Sequence, residues 1–570
     1  MKKFLAASVV LVAGVSGYYL TQQDSASVDD EMLKYIPADT ALLSAQMKPF
    51  PYKDYISATA GNYQSFDDSA FDGMDQLSEA HMRFFMSLMK QYTVKMSDPK
   101  SLLSLYGLPD SGRSYFYNLG LLPVMKIELA DAAALWAELD RAEAESGFSH
   151  QMKQHEGINY RAYSIVAEDS DFIDVVVAEH QGWLTVTMNS SLNEPVLLSQ
   201  ALGLAPVDNP IANTTIIADI IKQYNFTNDG VSYINHEEIV KGITTQDGNL
   251  IAKHLSHIAQ QMGADELSML KSPACSSELQ SIASNWPKTI MGLRKLDVTD
   301  SRVELDSQLI IESKNQVILT ALQKMRGFIP SVVNDAPVMS FGLGFDVNQL
   351  APALSEVWND LLTPSYQCEM LAEIQGEIQQ QNPMMLGMMT GMANGLKGVS
   401  FSVNGYKLSE QYGEPKVDEL DALVTLSADD PMMLLNMVKP FYPPLANLQL
   451  SPNGEAVDVS SLLMLPPEFG VKAKLALKGQ HLVLFNGAKA QQQADKLASE
   501  ALVANGMLSA SVDYAQALTP LIEAIEQSGE AMPEELKMMQ GYDMRLNTSL
   551  DVTDQGIVFD FGVINQAPTK

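Results

Sequence analysis

The side chains most able to do chemistry in this chain are the thioethers of its 31 methionines. Four apolar residues recur at i, i+3, i+4 and i+7, the spacing that places side chains on one face of a helix. They are Met82, Phe85, Met86 and Met89. The same spacing recurs in the second half of the chain, at Met385, Met388, Met389 and Met392. The two sets therefore predict two helices that each carry a methionine-rich face.

Three interpretations of these faces are open. Thioethers fill irregular gaps, so each face could pack into a core. Because flexible methionine surfaces adapt to varied shapes, each could instead form an open apolar groove for a lipid, a peptide or a partner helix. A copper site built from thioethers is the third possibility. His81 is the only histidine or cysteine that adjoins either set.

The two cysteines, Cys275 and Cys368, are the next chemical candidates. In an oxidising compartment an isolated pair favours a disulfide. The bridge would close a loop of 368 − 275 = 93 residues and tie the first half of the chain to the second. In the chain-entropy model such a loop stabilises the fold by about 4 to 5 kcal/mol. Neither cysteine has a second thiol at redox spacing, which argues against an exchange catalyst.

Metal-binding patterns are weak. His254 and His257 lie three residues apart without a carboxylate in a recognised motif, which is typical of an ordinary surface or packed pair. The acidic run 168–171, with Asp174 beyond it, offers oxygen ligands for calcium. It lacks the glycine and the distal glutamate of an EF-hand loop and favours a solvated turn. The sequence therefore predicts no metal site.

Catalytic signatures are equally poor. Ser268-Met269-Leu270-Lys271 matches Ser-x-x-Lys, but the companion motifs of the serine enzymes that use it are missing. The chain has no Gly-x-Ser-x-Gly motif, phosphate loop or dinucleotide fingerprint. We therefore expect no catalytic residue and no cofactor. The alternative is an enzyme whose site is assembled from residues far apart in sequence.

The charge balance restricts the partners. The 69 acidic and 37 basic residues give a net charge of −32. Repulsion from phosphate groups excludes nucleic acid as a partner. Binding to an anionic lipid surface would require divalent cations or a local basic patch.

The first residues predict export. Met1-Lys2-Lys3 precedes an uncharged run from Phe4 to Leu20, and acidic residues follow. Basic residues before an apolar segment and acidic residues after it orient the rest of the chain outside the cytoplasm. Residues 1–27 are thus either a signal peptide or an N-terminal membrane anchor, because the run lies between the lengths typical of each. The expected location is the periplasm, either soluble or anchored in the inner membrane by residues 4–20.

Internal similarity predicts the domain organisation. Asp297-Val298-Thr299-Asp300 recurs as Asp551-Val552-Thr553-Asp554, and other matches occur in the same order along both halves. A chain of 570 residues also exceeds what a single core usually supports. We expect two duplicated lobes, over residues 28–325 and 326–570.

Each half shows strands that alternate with amphipathic helices. In the first, a helix over Ala132–Ser146 is capped by Asp131, and strands near 160–165, 172–179 and 183–188 follow with turns too short for crossover helices. In the second, a helix over Ala488–Val503 follows strands near 472–477 and 482–485. The predicted fold class is α+β, with each lobe an antiparallel sheet packed with amphipathic helices.

These residues also carry a family resemblance. The segments Ile36-Pro37-Ala38-Asp39-Thr40 and 120–131, with a lone cysteine before a helix in each half, resemble a family of exported Gram-negative cell-envelope proteins that have a domain of unknown function. The resemblance implies export and internal duplication. It implies no catalytic or binding residue.

The sequence thus predicts a non-enzymatic binding or scaffold protein of the periplasm. Its apolar ligand or partner, a lipid or a protein of the cell envelope, would contact the methionine-rich faces. A periplasmic hydrolase is the alternative.

Overall fold

The computed structural model describes residues 30–59, 79–168, 171–263, 267–380, 393–411, 414–464, 471–529, 531–539 and 543–567. The N-terminal segment 1–27 and the second methionine set, Met385, Met388, Met389 and Met392, lie outside the described residues. The chain divides into two compact units. Unit 1 comprises residues 1–283 and 288–307, and unit 2 comprises residues 284–287 and 308–570. The division therefore falls somewhat before the boundary that the sequence indicated at residue 325.

The strands of unit 1 are β1 (Leu42–Phe50), β2 (Gly112–Leu119), β3 (Leu122–Glu128), β4 (Gln151–His155), β5 (Ile158–Glu168), β6 (Asp171–His180), β7 (Trp183–Ser190), β8 (Gly230–Asn235) and β9 (Lys288–Thr299), and β10 (Arg302–Glu312) runs across the division. The helices up to this point are α1 (Tyr52–Thr59), α2 (Ala80–Lys95), α3 (Pro99–Leu105), α4 (Ala132–Ser146), α5 (Pro195–Leu202), α6 (Ile216–Tyr224), α7 (His236–Thr244), α8 (Leu250–Met262) and α9 (Pro273–Asn285).

The strands of unit 2 are β11 (Met339–Gly344), β12 (Leu396–Gln411), β13 (Glu414–Ala428), β14 (Val457–Asp458), β15 (Lys474–Lys478), β16 (His481–Asn486), β17 (Leu508–Asp513), β18 (Asp543–Thr553) and β19 (Gly556–Gln566). Its helices are α10 (Gln316–Lys324), α11 (Val332–Asp335), α12 (Val347–Leu361), α13 (Glu369–Gln379), α14 (Pro431–Val438), α15 (Ala488–Leu497), α16 (Tyr514–Ser528) and α17 (Glu534–Met539). Helices and antiparallel strands thus occur together in both units, and the α+β prediction is confirmed.

The same strand order recurs in the two units. In unit 1 the antiparallel order runs β7-β3-β2-β1-β8-β9, with β6, β5 and β4 beyond β7. In unit 2 it runs β16-β13-β12-β11-β17-β18, with β15 and β14 beyond β16. The first strand of each unit, β1 or β11, is therefore an inner strand, and both of its edges are paired with neighbouring strands.

Helix α4 shows why the helical segments form where the sequence indicated. The Asp131 side chain accepts from the backbone N–H groups of Ala133 and Ala134, which caps the first turn. The helix ends at Gly147, whose φ of 72° lies in the left-handed region that glycine tolerates. Leu135 and Leu139 are buried against the sheet, where each such side chain contributes about 1.5 to 3 kcal/mol. The predicted bounds of this helix are therefore correct.

Helix α15 is shorter than the sequence indicated. It ends at Leu497, whereas the pattern predicted a helix as far as Val503. The cause lies just beyond, where the Asn505 side chain accepts from the Ile329 N–H and donates to the Ile329 carbonyl. The Asn505 N–H also donates to the Gly327 carbonyl. These tertiary hydrogen bonds hold the backbone extended and outweigh the local helix propensity of residues 498–503.

One face of each sheet is closed by the helix that follows its outer hairpin. In unit 1, α5 packs Leu198 and Leu202 on Tyr160 and Val176. In unit 2, α15 packs Ala490, Ala494 and Leu497 on Leu423, Val483 and Phe485. On the opposite face of unit 1, α4 packs Leu135 and Leu139 on Tyr163, Val177 and Leu184.

Candidate functional site

The two cysteines form a disulfide. Cys275 lies in α9 and Cys368 is the residue before α13, and both are buried. The predicted bridge is therefore confirmed. It is a structural element rather than a reactive thiol, because neither sulfur is accessible.

The first methionine set lies on α2, whose opposite face is fixed to α4. Arg83 donates to the Ser146 carbonyl from both Nε and Nη2, at 3.2 and 3.0 Å. The Ser87 hydroxyl donates to Glu145 at 2.6 Å, and Phe84 packs against the Tyr163 ring. These contacts set the rotation of α2 about its axis.

With that rotation, the methionine-rich face points away from the sheet. Met82, Phe85 and Met89 are 45%, 50% and 39% exposed, and Met86 is partly buried. The interpretation as packed core is wrong for the three exposed residues, because the contacts to α4 use the other side of the helix. We call Met82, Phe85, Met86 and Met89 the helix face. It is an open apolar surface of a single helix.

A second exposed apolar surface, which the sequence did not predict, lies in unit 2. Phe341, Phe401 and Val424 are direct neighbours across β11, β12 and β13, and Ala510 of β17 continues the row. A parallel row contains Leu343, Val399, Leu426 and Leu508. Residues directly opposite one another share a sheet face. We call these eight residues the sheet face.

The sheet face is open at its centre. Phe401 is 40% exposed and Val424 is 48% exposed, and Val399 is also exposed. The Phe341 and Phe401 rings stack at a centroid distance of 6.0 Å, which orders the surface. An ordered patch of aromatic and branched side chains in contact with water is a candidate binding surface.

The polarity of these strands is inverted. On β12 the hydroxyl residues Ser400 and Ser402 are buried, while their apolar neighbours Val399 and Phe401 are exposed. Neither the Ser402 Oγ nor the Thr425 Oγ1 on the neighbouring strand has a hydrogen-bond partner in the described structure. A half-buried strand normally shows the reverse pattern, with apolar residues inward.

Close packing on the covered side explains the inversion. Residues 328–333 lie so near the sheet that a Cβ at Gly342 would be 2.6 Å from the Ile329 side chain, and one at Gly398 would be 2.0 Å from the Phe328 carbonyl. The Ser340 hydroxyl donates to the Val333 carbonyl at 2.5 Å. At these positions of β11 and β12 only small residues fit, so the large residues of these two strands point to the open side.

The alternation itself was visible in the sequence. Residues 340–344 read Ser-Phe-Gly-Leu-Gly and residues 398–402 read Gly-Val-Ser-Phe-Ser. Period-two alternation shows that a strand has two unlike faces, and the usual rule then places the apolar one inward. The long-range approach of residues 328–333 reverses this assignment, and no local pattern encodes it.

Two serine–histidine pairs bear on the enzymatic alternative. The Ser427 Oγ lies 2.9 Å from His481 Nδ1, and His481 Nε2 lies 3.2 Å from the Glu500 carbonyl. That carbonyl requires the proton on Nε2, so Ser427 donates to Nδ1, as a nucleophile donates to its base. Both side chains are completely buried, and burial lowers the pKa of His481. A substrate could not reach this serine.

In the second pair the direction of the hydrogen bond between serine and histidine is unsuitable for nucleophilic catalysis. The Ser199 Oγ donates to Glu156 at 2.8 Å and lies 2.7 Å from His155 Nε2. Since its only proton is given to the glutamate, the hydroxyl accepts from the histidine, which therefore does not act as a base. Ser199 is also buried. The pair links the β4–β5 turn to α5 and supports no nucleophilic chemistry.

Two side chains that the sequence offered as weak candidates for metal binding, His254 and Asp174, form structural hydrogen bonds instead. His254 Nδ1 accepts from the Leu121 N–H at 3.1 Å, and Nε2 lies 3.0 Å from the Asn193 amide oxygen. Asp174 is buried and accepts from Lys153 at 2.7 Å and from Ser164 at 2.6 Å. These contacts agree with the interpretation of a packed histidine and argue against Asp174 as a calcium ligand.

Burial also perturbs one lysine. Lys126 on β3 is buried and donates to the Thr185 hydroxyl at 2.7 Å. Loss of solvation lowers its pKa to about 7. A neutral amine is a potential nucleophile, but Lys126 lines neither of the two cavities described below.

Two open cavities lie in unit 2, and charged side chains are among the lining residues of each. The first, of about 470 Å³, is lined by residues that include Lys407, Glu419 and Asp421. The Asp421 carboxylate accepts from the N–H groups of Lys489 and Ala490 and thereby caps α15. The second, of about 480 Å³, surrounds Arg545.

The described residues also include no helix of sufficient length and hydropathy to span a bilayer. Within the same ranges, no group of three or more histidine, cysteine, aspartate or glutamate side chains is arranged to hold a metal ion. Comparisons with protein-family models, with curated proteins and with solved structures found no match to this chain.

Proposed function

We propose that this protein is an exported, non-enzymatic binding protein that holds the acyl part of a lipid on the sheet face of unit 2. The observation that carries the proposal is the inverted strand β12. Its Phe401 is exposed while Ser402, with an unpartnered hydroxyl, is buried. Covering the open face would recover about 25 cal/mol for each Å² of apolar surface removed from water.

The chemistry of the surface favours an acyl chain over a partner helix. All eight residues of the sheet face are apolar and uncharged. Four neighbouring strands with three intervals of about 4.8 Å give an apolar row about 14 Å long. An uncharged chain loses no polar solvation there, whereas an amphipathic helix would bring polar groups to the rim that require partners.

The helix face of unit 1 is the competing location. It is exposed, as a groove for an apolar ligand requires, but it belongs to one helix and has no second apolar wall in the described contacts of α2. Ligand sites normally enclose most of the ligand surface. A protein partner that packs a helix on this face is compatible with its geometry.

The test is native mass spectrometry of the protein from a gentle extract of the producing cells. The sheet-face variant F401Q/V424Q is compared with the helix-face variant M82Q/F85Q, which makes an equivalent apolar-to-polar change on exposed residues. We expect lipid on the wild-type protein and on M82Q/F85Q. Affinity for a fluorescent fatty acid should fall about 10- to 100-fold in F401Q/V424Q, because the two lost apolar contacts together are worth about 1.4 to 2.8 kcal/mol.

The other outcomes are informative. If M82Q/F85Q lost the lipid and F401Q/V424Q kept it, the lipid site would be assigned to the helix face instead of the sheet face. Repeated ligand-free spectra of the wild-type protein, with no fatty-acid binding, would contradict the proposal altogether.

A further inference from the structure

The second cavity of unit 2 is lined almost entirely by hydrogen-bonding side chains. Of its eight lining residues, only Pro337 and Ala510 lack a polar side chain. Four of the others, Asn334, Ser509, Ser511 and Asn547, are neutral and polar, and Arg545 provides the one positive charge. A cavity of about 480 Å³ with this lining has room for a small polar ligand.

Arg545 is held in place but keeps free donors. Its Nη2 donates to the Ala336 carbonyl at 3.0 Å and to the Ser511 hydroxyl at 3.1 Å, and its Nε lies 3.5 Å from the Asn547 amide oxygen. A guanidinium has five N–H donors. The two on Nη1 have no acceptor among the described residues. The group is therefore positioned, with one end left to hydrogen-bond a ligand.

The absence of a carboxylate partner is unusual in so acidic a chain. Elsewhere in the described structure Arg326 pairs with Asp551 through two hydrogen bonds of 2.6 and 2.7 Å. Arg113, Arg141, Arg161 and Arg302 likewise form ion pairs with carboxylates. Arg545 forms none within the described ranges, although acidic residues outnumber basic ones by 69 to 37.

The Ser511 hydroxyl adds a second donor at the same place. It is more than nine-tenths buried and accepts from Arg545, and its own proton has no acceptor in the described structure. A buried hydroxyl proton without an acceptor costs free energy unless a ligand oxygen accepts it. Arg545 and Ser511 together thus present donors to one oxyanion.

Asp335 indicates the charge of that ligand. It also lines the cavity, so the lining carries one positive and one negative residue. A dianion would be repelled by this carboxylate, whereas a carboxylate ligand carries a single charge and matches the planar guanidinium. We propose that this cavity is a binding site for a small carboxylate, with Arg545 and Ser511 as its donors.

The experiment is isothermal titration of the protein with acetate, at constant ionic strength and neutral pH. Inorganic phosphate is the contrasting probe. We expect saturable acetate binding that weakens by at least about tenfold in R545M, since a charged hydrogen bond is lost. S511A should weaken it by a smaller factor, and this variant keeps Arg545 if R545M fails to fold.

The matched control is K489M, which removes the same charge from an exposed position on α15. It should bind acetate like the wild-type protein. Equal affinities in the wild-type, R545M and S511A proteins would overturn the proposal, and so would no binding by the wild-type protein. Tighter binding of phosphate than of acetate would refute the assignment of the ligand as a carboxylate.

Discussion

At the scale of single residues, His254 shows how burial makes a side chain sensitive to pH. Its imidazole connects the β2–β3 turn to α8, accepting from the Leu121 N–H with Nδ1. A Cβ at Gly120 would lie 2.9 Å from that nitrogen, so the turn and the ring are closely packed. Burial, and secondarily the neighbouring His257, lowers the pKa of His254 from 6.5 to about 4.

The sign of the effect on stability follows from the direction of this shift. Between about pH 6.5 and 4 the unfolded chain binds the proton more readily than the folded protein, so the stability present above pH 6.5 is lost as the pH falls through this range. The contribution is about 3 kcal/mol. In H254N the amide oxygen can replace Nδ1 as the acceptor without titrating. We therefore expect the free energy of unfolding, measured by urea denaturation, to fall less between pH 6.5 and 4 in H254N than in the wild-type protein.

The control is H180N, a histidine-to-asparagine change on β6 that leaves the β2–β3 turn intact. It should keep the steep pH dependence of the wild-type protein. The same slope in H254N and in the wild-type protein would show that His254 does not carry the effect.

At the scale of elements, strand β12 is built in the opposite sense to an ordinary surface strand. On this strand Ser400 and Ser402 are buried, whereas Phe401 is 40% exposed. The buried side of the strand therefore bears on stability, and its exposed side bears on the proposed lipid binding. Substitutions on the two sides should have unlike consequences.

For stability we expect S402A to raise the free energy of unfolding by about 1 kcal/mol, because it removes a buried hydroxyl that has no partner. F401S should change it by about 1 kcal/mol or less, since a large part of the ring is already in water. Urea denaturation of both variants measures the difference. A stabilised F401S together with a strongly destabilised S402A would show that the serine is satisfied and would contradict the inverted arrangement.

The same elements show what the sequence can and cannot predict. The bounds of α4 follow from Asp131 and Gly147, because both ends are determined by local hydrogen bonds and backbone conformation. The helical spacing of Met82, Phe85 and Met89 predicted a shared face, but its exposure depends on which side of α2 binds α4. The sheet face was not predicted, since its direction is decided by residues 328–333, which approach from far along the chain.

At the scale of the whole molecule, a single covalent link supplements the two cores. The disulfide between Cys275 and Cys368 closes a loop of 368 − 275 = 93 residues. Such a loop restricts the unfolded chain far more than the native one. The stabilisation by the disulfide does not depend on pH or ionic strength. Interactions among the charged groups that give the net charge of −32 do depend on both.

We expect C275S/C368S to be destabilised by about 4 to 5 kcal/mol, the loop-closure value, reduced by any structure that persists in the unfolded chain. Guanidinium unfolding of the oxidised protein, followed by fluorescence and circular dichroism, measures the shift and shows whether the units unfold together. Added reductant should lower the midpoint of the wild-type protein and leave that of C275S/C368S unchanged. Equal midpoints for the oxidised wild-type protein and the variant would contradict the expected stabilisation.

The glycines beneath the sheet face also show which positions of these strands tolerate substitution and which do not. At Gly342 and Gly398 even one added carbon would collide with Ile329 or Phe328, so these positions tolerate no larger residue. Phe341, Phe401 and Val424 meet no such restriction on the open side. Substitutions at these three positions therefore alter the chemistry of the open surface, while the glycines and serines behind them preserve the same scaffold.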